Sequence, residues 1–202
     1  ERRAVEVFCV CSSGVILVAT PRGRLIAFQS ISSANAKLAD EHAIIGMTYV
    51  QRSETIVTAS ASSLRFWDAS TGVLLRFVRR PCGQAELTAF ALDPTQLHLA
   101  LGDGDGAVHV ISCSNGELLR RCRSHTSTVS SAVYADKGQL ITSSWDGYIT
   151  VHTATKDPVF ASSIDTTAKP EGLPCTVEVL SPVFSPALGI LAPAYADSTT
   201  RV

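Results

Sequence analysis

The sequence predicts an all-β fold of repeated, four-stranded antiparallel sheets. The prediction starts from Leu64–Asp68, an apolar run whose alternate side chains face opposite sides, as they do in a β-strand. Ala69–Gly72 follows with the composition of a tight turn, and Val73–Val78 resumes as another strand. The β-branched run Thr55–Ser60 precedes them. Three strands joined by two short turns form an antiparallel meander.

This pattern recurs along the chain. Ala107–Arg120 aligns with Ser63–Arg76 without a gap, Tyr148–His152 follows the same pattern further on, and Pro21–Phe28 is an earlier copy. The equivalent positions in the four copies are Phe28, Trp67, Ile111 and His152. They lie 39, 44 and 41 residues apart. Because that period is typical of four-stranded blades arranged around an axis, the fold is predicted to be a β-propeller.

The chain is predicted to hold about four to five blades of an incomplete ring. The blade fragments span residues 1–40, 41–83, 84–123, 124–165 and 166–202. In the first fragment the predicted strands are Val5–Val10, Val15–Ala19 and Leu25–Phe28. The polar stretch Ser30–Asp40 follows and is expected to be a loop with a short extra strand, so the chain is expected to enter part-way through a blade.

The later fragments contain strands separated by short turns. In the second they are Ile44–Tyr49, Thr55–Ser60, Leu64–Asp68 and Leu74–Val78. In the third they are Leu87–Leu92, Leu97–Leu101, Ala107–Ile111 and Leu118–Cys122. In the fourth they are Val129–Tyr134, Gln139–Ser143, Tyr148–Thr153 and Val159–Ile164, with a surface loop at Asp165–Pro174. The fifth contains Cys175–Leu180, Gly189–Ala194 and the opening of a third strand at Thr199–Val202.

An unclosed set of blades leaves two sheet edges unpaired. The chain also begins without Met, which is typical of a fragment. We therefore expect the missing blades in sequence outside these 202 residues or in another chain.

Composition narrows the class of protein. A hydrophobic content of 46% is enough for a packed core and argues against disorder. The net charge of −1 provides no general attraction to nucleic acid or to a membrane surface, so neither is expected as a partner. The 6 cysteines are scattered without the spacing of a disulfide framework, which favours a reduced, cytoplasmic compartment.

Four short motifs carry a family resemblance. Trp67-Asp68 follows Glu41-His42 at a spacing of 25 residues, and Thr142–Gly147 has the pattern hydroxyl, hydroxyl, hydroxyl, Trp, Asp, Gly. Ser124-His125 repeats the position of Glu41-His42. In these features the chain resembles the WD-repeat (WD40) family, with Glu41-His42 and Ser124-His125 in place of its Gly-His pair. The resemblance covers roughly residues 15–202 and implies a WD40-type β-propeller.

In that family a His, a Ser or Thr, an Asp and a Trp form a buried hydrogen-bonded chain inside each blade. The resemblance assigns this role in two blades to His42, Thr58, Trp67, His125, Thr142 and Asp146. His152 stands in the Trp position of the later of these blades. The blade between them has Asp105 but lacks the other three residue types, so apolar packing or water is expected to substitute.

No residue pattern predicts catalysis or metal binding. Asp103–Gly106 lacks the acidic ligands that a calcium loop needs at its other positions, so a turn is expected. Cys9 and Cys11 have no second pair of ligands with metal-site spacing. No Ser-His-Asp or paired-carboxylate motif is present. The sequence therefore predicts a protein without enzymatic activity, cofactor or metal.

Arginines cluster at equivalent positions of two successive blades. They follow or end the outer strands and are Arg76, Arg79, Arg80, Arg120, Arg121 and Arg123. Adjacent blades would place these 6 of the 17 basic residues on one sector of the rim. One interpretation is edge protection, because charges on an exposed strand oppose further β-pairing. The other is a docking surface for an acidic protein partner.

The leading functional hypothesis is a non-enzymatic protein-interaction scaffold, argued by elimination and from the fold. The alternative is a propeller domain of a larger enzyme or of an RNA-associated complex. Ala85–Asp93 and Leu140–Ile149 more narrowly resemble the large WD-repeat proteins of cilia and flagella. That resemblance implies a structural component of the axoneme, located in the cilium or flagellum, with tubulin or axonemal subunits as partners.

Overall fold

The computed structural model is built almost entirely of strands. It describes residues 7–10, 16–19, 24–30, 33–38, 42–123, 125–135, 138–152, 161–165, 178–185 and 190–196. Within these ranges there is no α-helix, and 3-10 geometry occurs at Gln51–Ser53 and at Gly138. The chain forms two compact units, residues 1–87 and 88–202.

The first unit contains two four-stranded antiparallel sheets, each with its strands in chain order. The strands of the first sheet are β1 (Val7–Val10), β2 (Ile16–Ala19), β3 (Arg24–Ser30) and β4 (Ser33–Leu38). Those of the second sheet are β5 (Ile44–Val50), β6 (Thr55–Ser60), β7 (Ser63–Asp68) and β8 (Leu74–Arg79). The predicted meander around Leu64–Asp68 is therefore confirmed.

Strand β4 is the short extra strand expected within Ser30–Asp40. It pairs with β3 from Arg24 opposite Leu38 to Ser30 opposite Ser33. The first sheet therefore has four strands, and the expectation that the chain enters part-way through a blade is wrong. An edge strand needs only its backbone groups to pair with a neighbour, so its side chains can be small and polar.

Burial in the second sheet changes from its middle strands to its outer strand. All six residues of β6 are buried, and so are Leu64, Phe66 and Trp67 of β7. None of the residues of β8 is buried. A strand covered on both faces can be apolar throughout, whereas an edge strand keeps charged side chains.

The second unit contains two further four-stranded sheets and a two-stranded sheet, all antiparallel. The third sheet consists of β9 (Leu87–Leu92), β10 (His98–Asp103), β11 (Ala107–Ser112) and β12 (Leu118–Arg123). The fourth consists of β13 (Val129–Tyr134), β14 (Leu140–Ser144), β15 (Tyr148–His152) and β16 (Ala161–Asp165). The fifth consists of β17 (Val179–Ser185) and β18 (Ile190–Tyr195).

Two apolar clusters hold the sheets of the second unit together. The cluster between the third and fourth sheets contains Ala89, Ala100, Val108, Val129 and Leu140. The cluster between the fourth and fifth sheets contains Ala135, Ile141, Ile149, Val179 and Tyr195. The Thr88 hydroxyl adds a polar contact, because it donates to the Val129 carbonyl oxygen at 2.7 Å and lies 3.2 Å from that of Gly102.

Three strands in this unit differ from the prediction by two residues or more at one end or both. The strand predicted at Cys175–Leu180 lies at Val179–Ser185, and that predicted at Val159–Ile164 lies at Ala161–Asp165. The strand predicted at Leu97–Leu101 extends to Asp103. Strand β17 accommodates Pro182, because this residue lies opposite Pro193 in a sheet of two strands, and edge strands tolerate proline. Thr199–Val202 and most of the loop predicted at Asp165–Pro174 lie outside the described residues.

Candidate functional site

In the second sheet the predicted framework pair is formed by Trp67 and Thr58. The indole Nε1 of Trp67 donates to the Thr58 hydroxyl at 3.0 Å, and both residues are buried. Thr58 lies on β6 and Trp67 on β7, so the hydrogen bond ties two neighbouring strands through their side chains. A buried indole N–H needs such an acceptor, and the sheet supplies it internally.

His42 does not fit the predicted role, because it is exposed. The β6–β7 turn explains the difference. Ser60 and Ser63 close that turn with a hydrogen bond of 3.0 Å between their hydroxyls, and no carboxylate lies in it. A histidine packed beside this turn would therefore lack the Asp that orients it elsewhere in the chain.

The fourth sheet contains the other predicted group. The His125 Nδ1 lies 3.3 Å from Asp146 Oδ2, and its Nε2 lies 2.9 Å from the Thr142 hydroxyl. The same hydroxyl lies 3.0 Å from Nε2 of His152. A hydroxyl has one proton, so Thr142 donates to one imidazole and accepts from the other. The structure therefore brings His125, Thr142 and Asp146 together and adds His152 to them.

Both histidines are neutral at neutral pH. Burial lowers the pKa of His125, and the attraction of the Asp146 carboxylate only partly opposes this. Burial also lowers the pKa of His152 to about 4, with smaller effects from His125, when that imidazole is protonated, and from the positive charge of Arg120. Neutral imidazoles keep the donor and acceptor nitrogens that the Thr142 hydroxyl requires.

Asp146 also fixes the turn between β14 and β15. Its Oδ2 accepts from the backbone N–H of Thr126 at 2.8 Å, and its Oδ1 accepts from that of Tyr148 at 2.9 Å. The turn exposes two aromatic residues, Trp145 at 47% and Tyr148 at 38% of their maximal surface. The Trp145 backbone N–H is held by the Thr128 carbonyl oxygen at 3.1 Å, so this residue is presented on an ordered backbone.

The third sheet contains a buried pair that the sequence analysis missed. Asp103 Oδ2 lies 2.7 Å from His109 Nε2, and both residues are buried. The other oxygen of Asp103 accepts from the backbone N–H groups of Asp105 and Ala107, at 3.0 and 2.8 Å. Asp105, which had been aligned with the family aspartate, is exposed. The sequence did contain a signal for this pair. Asp103 follows one strand of a predicted hairpin and His109 lies near the start of the next, on the same face of the sheet.

The arginines of the first unit have different surroundings. The Arg76 guanidinium lies over the Phe66 ring at 5.8 Å from its centroid, which is a cation–π contact. Arg79 is exposed on the outer strand β8. Arg80 is also exposed, and its Nη1 donates to Gln84 Oε1 at 2.9 Å.

In the second unit only part of the predicted arginine set is described. Arg120 is half-buried and lies opposite Val110 in the register of β11 and β12. Arg121 is exposed. The backbone of Arg123 pairs with that of Ala107, and its side chain lies outside the described set. A shared sector for all six arginines stays a prediction.

Residues 116–153 match the family model of the WD domain, G-beta repeat. Residues 116–153, which resemble one such repeat, are here called the WD repeat. The WD repeat begins just before β12 and runs through β15, so it contains the outer strand of one sheet and three strands of the next. Together with the four-stranded antiparallel sheets, it identifies the fold as part of a WD40-type β-propeller.

The WD repeat also bears on the class of function. It includes His125, Thr142 and Asp146 as well as the exposed Trp145, and it indicates a protein-interaction role with other proteins as partners. No curated protein sequence matches the chain. Within the described residues, no helix has the length and apolar character needed to span a membrane.

Proposed function

We propose that this protein is a non-enzymatic protein-interaction scaffold that serves as a structural component of the ciliary or flagellar axoneme. The observation that carries the scaffold role is the exposed aromatic pair Trp145 and Tyr148 on an ordered turn of the WD repeat. Trp and Tyr are the residue types most enriched among the side chains that dominate protein–protein binding energy.

The turn is suited to binding because its conformation is already determined. The Asp146 carboxylate accepts backbone hydrogen bonds from Thr126, which precedes β13, and from Tyr148 at the end of the turn, at 2.8 and 2.9 Å. The backbone N–H of Asp146 in turn donates to the Ser144 hydroxyl at 3.1 Å. Binding of a partner over Trp145 would therefore cost this protein little backbone conformational entropy.

Two features support the axonemal role. Ala85–Asp93 and Leu140–Ile149 resemble segments of large WD-repeat proteins of cilia and flagella. The exposed Arg79, Arg80 and Arg121 provide positive charge for an acidic lattice such as tubulin. The guanidinium group suits this task, because it can bind a carboxylate through two parallel hydrogen bonds.

The test uses the full-length protein and purified axonemal doublets in a co-sedimentation assay. Trp145→Ala should weaken binding at least about tenfold, since truncation of a central aromatic residue commonly costs 2 kcal/mol or more. The matched control is Val183→Ala on β17, which removes another exposed apolar side chain, at 65% exposure, from a different sheet.

Both variants should keep the melting temperature of the parent, because neither side chain is part of the core. Equal binding by Trp145→Ala and the parent would contradict the role of this turn. Failure of the parent to sediment with doublets would contradict the axonemal role.

A further inference from the structure

The second unit contains a cavity of about 480 Å³ between its third and fourth sheets. One side is formed by the β9–β10 turn and by the outer strand β12. The other side is formed by the ends of β13 and β15 and the start of β14. The volume is within the range of sites that bind small molecules or the side chains of a partner, which is roughly 300–1,000 Å³.

A substitution between the repeats accounts for this space. In the second sheet, Phe66 lies opposite Arg76, and its ring covers that guanidinium. In the third sheet the equivalent pair is Val110 and Arg120. Valine lacks the aromatic ring, so the space beside the Arg120 guanidinium is left open. Both residues line the cavity.

The cavity presents two polar groups that can bind an anion. Within the described part of the chain, the Arg120 guanidinium forms no ion pair or hydrogen bond, and the Tyr134 hydroxyl forms no hydrogen bond. Burial raises the pKa of Tyr134, with smaller effects from Asp93 and Cys113, so its hydroxyl keeps its proton and can donate. His152, with a pKa of about 4, adds no charge at neutral pH.

The carboxylate of Asp93 also lines the cavity, but its hydrogen-bonding capacity is already used. Its Oδ1 accepts from the backbone N–H groups of Leu97 and His98, at 2.9 and 3.0 Å. Its Oδ2 is bonded by the Thr95 hydroxyl and lies 3.2 Å from His98 Nδ1. Burial acts to raise the pKa of Asp93, but these hydrogen bonds outweigh it and keep the pKa below its ordinary value. Asp93 is therefore ionised and held within its own turn.

The remaining walls are apolar. Leu97 and Leu119 stand at the mouth with 43% and 52% of their surface exposed, and the buried Leu140 lies deeper. Exposed leucines at the mouth of a cavity extend the apolar contact area beyond the cavity itself. This geometry favours an occupant that continues past the mouth, as a peptide chain does.

We propose that this cavity binds a segment of a partner protein in which an apolar side chain is adjacent to an Asp or Glu. The apolar side chain packs between Leu97 and Leu119, and the carboxylate accepts hydrogen bonds from Arg120 and Tyr134. The inference rests on the proposed scaffold function. It adds a docking site that differs in chemistry from the aromatic turn at Trp145.

The test is a selection of random nonapeptides, displayed on phage, for binding to the immobilised full-length protein. Enriched peptides should share an Asp or Glu next to Leu, Ile or Phe. Arg120→Gln should weaken their binding at least about tenfold, because a hydrogen bond to a charged group contributes roughly 1.5–3 kcal/mol. Val110→Phe should weaken it as well by filling the cavity with the ring that the second sheet has at this position.

The matched control is Arg76→Gln, which changes the equivalent arginine of the second sheet and should leave peptide affinity unchanged. Replacing the acidic residue of the peptide by its amide should have little effect on the affinity for Arg120→Gln. Each change alone already removes the same interaction between the carboxylate and the guanidinium. Melting temperatures of all variants show whether each one folds.

Three results would overturn the proposal. They are enrichment of peptides without an acidic residue, equal affinity of the peptides for Arg120→Gln and the parent, and no enrichment at all. Peptides whose binding is lost in Trp145→Ala but retained in Arg120→Gln would overturn the cavity proposal while supporting the scaffold function. Binding of free 4-phenylbutyrate without enrichment of any peptide would also overturn the proposal, because the cavity would then bind a small carboxylate and not a segment of a protein.

Discussion

At the scale of single residues, a threonine hydroxyl acts as the common partner of two different heteroaromatic side chains. Thr58 accepts from the Trp67 indole at 3.0 Å, and Thr142 lies 3.0 Å from the His152 imidazole. Trp67 and His152 occupy equivalent positions of their repeats. The replacement of Trp by His therefore preserves the hydrogen bond, because each ring can direct a nitrogen at the hydroxyl.

Trp67→Ala should lower the free energy of unfolding by about 3–5 kcal/mol, since it removes a buried aromatic side chain and leaves a cavity. Trp67→Phe should cost less, about 1–3 kcal/mol, mainly because the Thr58 hydroxyl loses its partner. Urea denaturation measures both values. Trp145→Ala is the control, because that tryptophan is exposed. An unchanged unfolding midpoint in Trp67→Ala would contradict a structural role.

The buried histidines predict a loss of stability in mild acid. The ordinary pKa of 6.5 falls to about 4 for His152 in the folded protein, so the unfolded chain binds protons more readily between these values. The contribution of neutral His152 to the free energy of unfolding is therefore fully present above pH 6.5 and is lost as the pH falls towards 4. The shift of His125 has the same sign.

Melting temperatures between pH 7.5 and pH 4 should fall through this window, and less steeply in His152→Gln, which lacks this titration. Parallel curves for the variant and the parent would show that His152 does not contribute. The carboxylate of Asp93 affects stability only at lower pH, because its pKa lies below the ordinary value of 3.8.

At the scale of elements, the turns decide how neighbouring strands meet. Gly106 in the β10–β11 turn accepts a hydrogen bond from the His125 backbone N–H at 3.1 Å. Its φ is +84°, and a Cβ at this position would lie 2.4 Å from the His125 carbonyl oxygen. Gly106 therefore combines a left-handed conformation with a close backbone approach, and both require the absence of a side chain.

Gly106→Ala should destabilise the protein more than Gly72→Ala. Both positions have positive φ, which costs a non-glycine residue roughly 1–2 kcal/mol. Gly72, with a φ of +66°, has no atom within 4 Å of an added Cβ, so it serves as the control for the conformational term alone. Chemical denaturation of both variants gives the comparison, and equal losses would show that the contact with His125 adjusts without cost.

At the scale of the whole molecule, binding by the arginines is expected to be collective. The protein has a net charge of −1, so any attraction to an acidic partner must come from local groups of its 17 basic residues. An exposed charge pair contributes only about 0.2–1 kcal/mol, because solvent and salt screen it. Several arginines must therefore act together to have a measurable effect.

Combined replacement of Arg79, Arg80 and Arg121 by Gln should weaken co-sedimentation with axonemal doublets, and more so at low than at moderate salt. Each of these residues is exposed, so the melting temperature should stay near that of the parent. The single replacements are the controls and should have little effect. If the folded triple variant binds like the parent at both salt concentrations, these arginines serve only to protect the strand edges.

Most of the strands and their turns could be predicted from the sequence. Alternating apolar residues and turn residues are local signals, so Thr55–Ser60, Leu87–Leu92 and Val129–Tyr134 form strands with the predicted bounds. The residues of the fourth-sheet group were also readable, because His125, Thr142 and Asp146 stand at family motif positions. The same alignment did not predict that His42 would be exposed.

Features that depend on neighbours across strands arise only in the folded chain. β4 is a strand because β3 offers it a backbone ladder, although its side chains are polar. Asp103 and His109 meet because a hairpin places them on one face. The Arg120 cavity exists because the residue opposite is Val110, where the equivalent pair in the other unit has Phe66. Local propensity does not encode such pairings, since they arise from register and sheet packing.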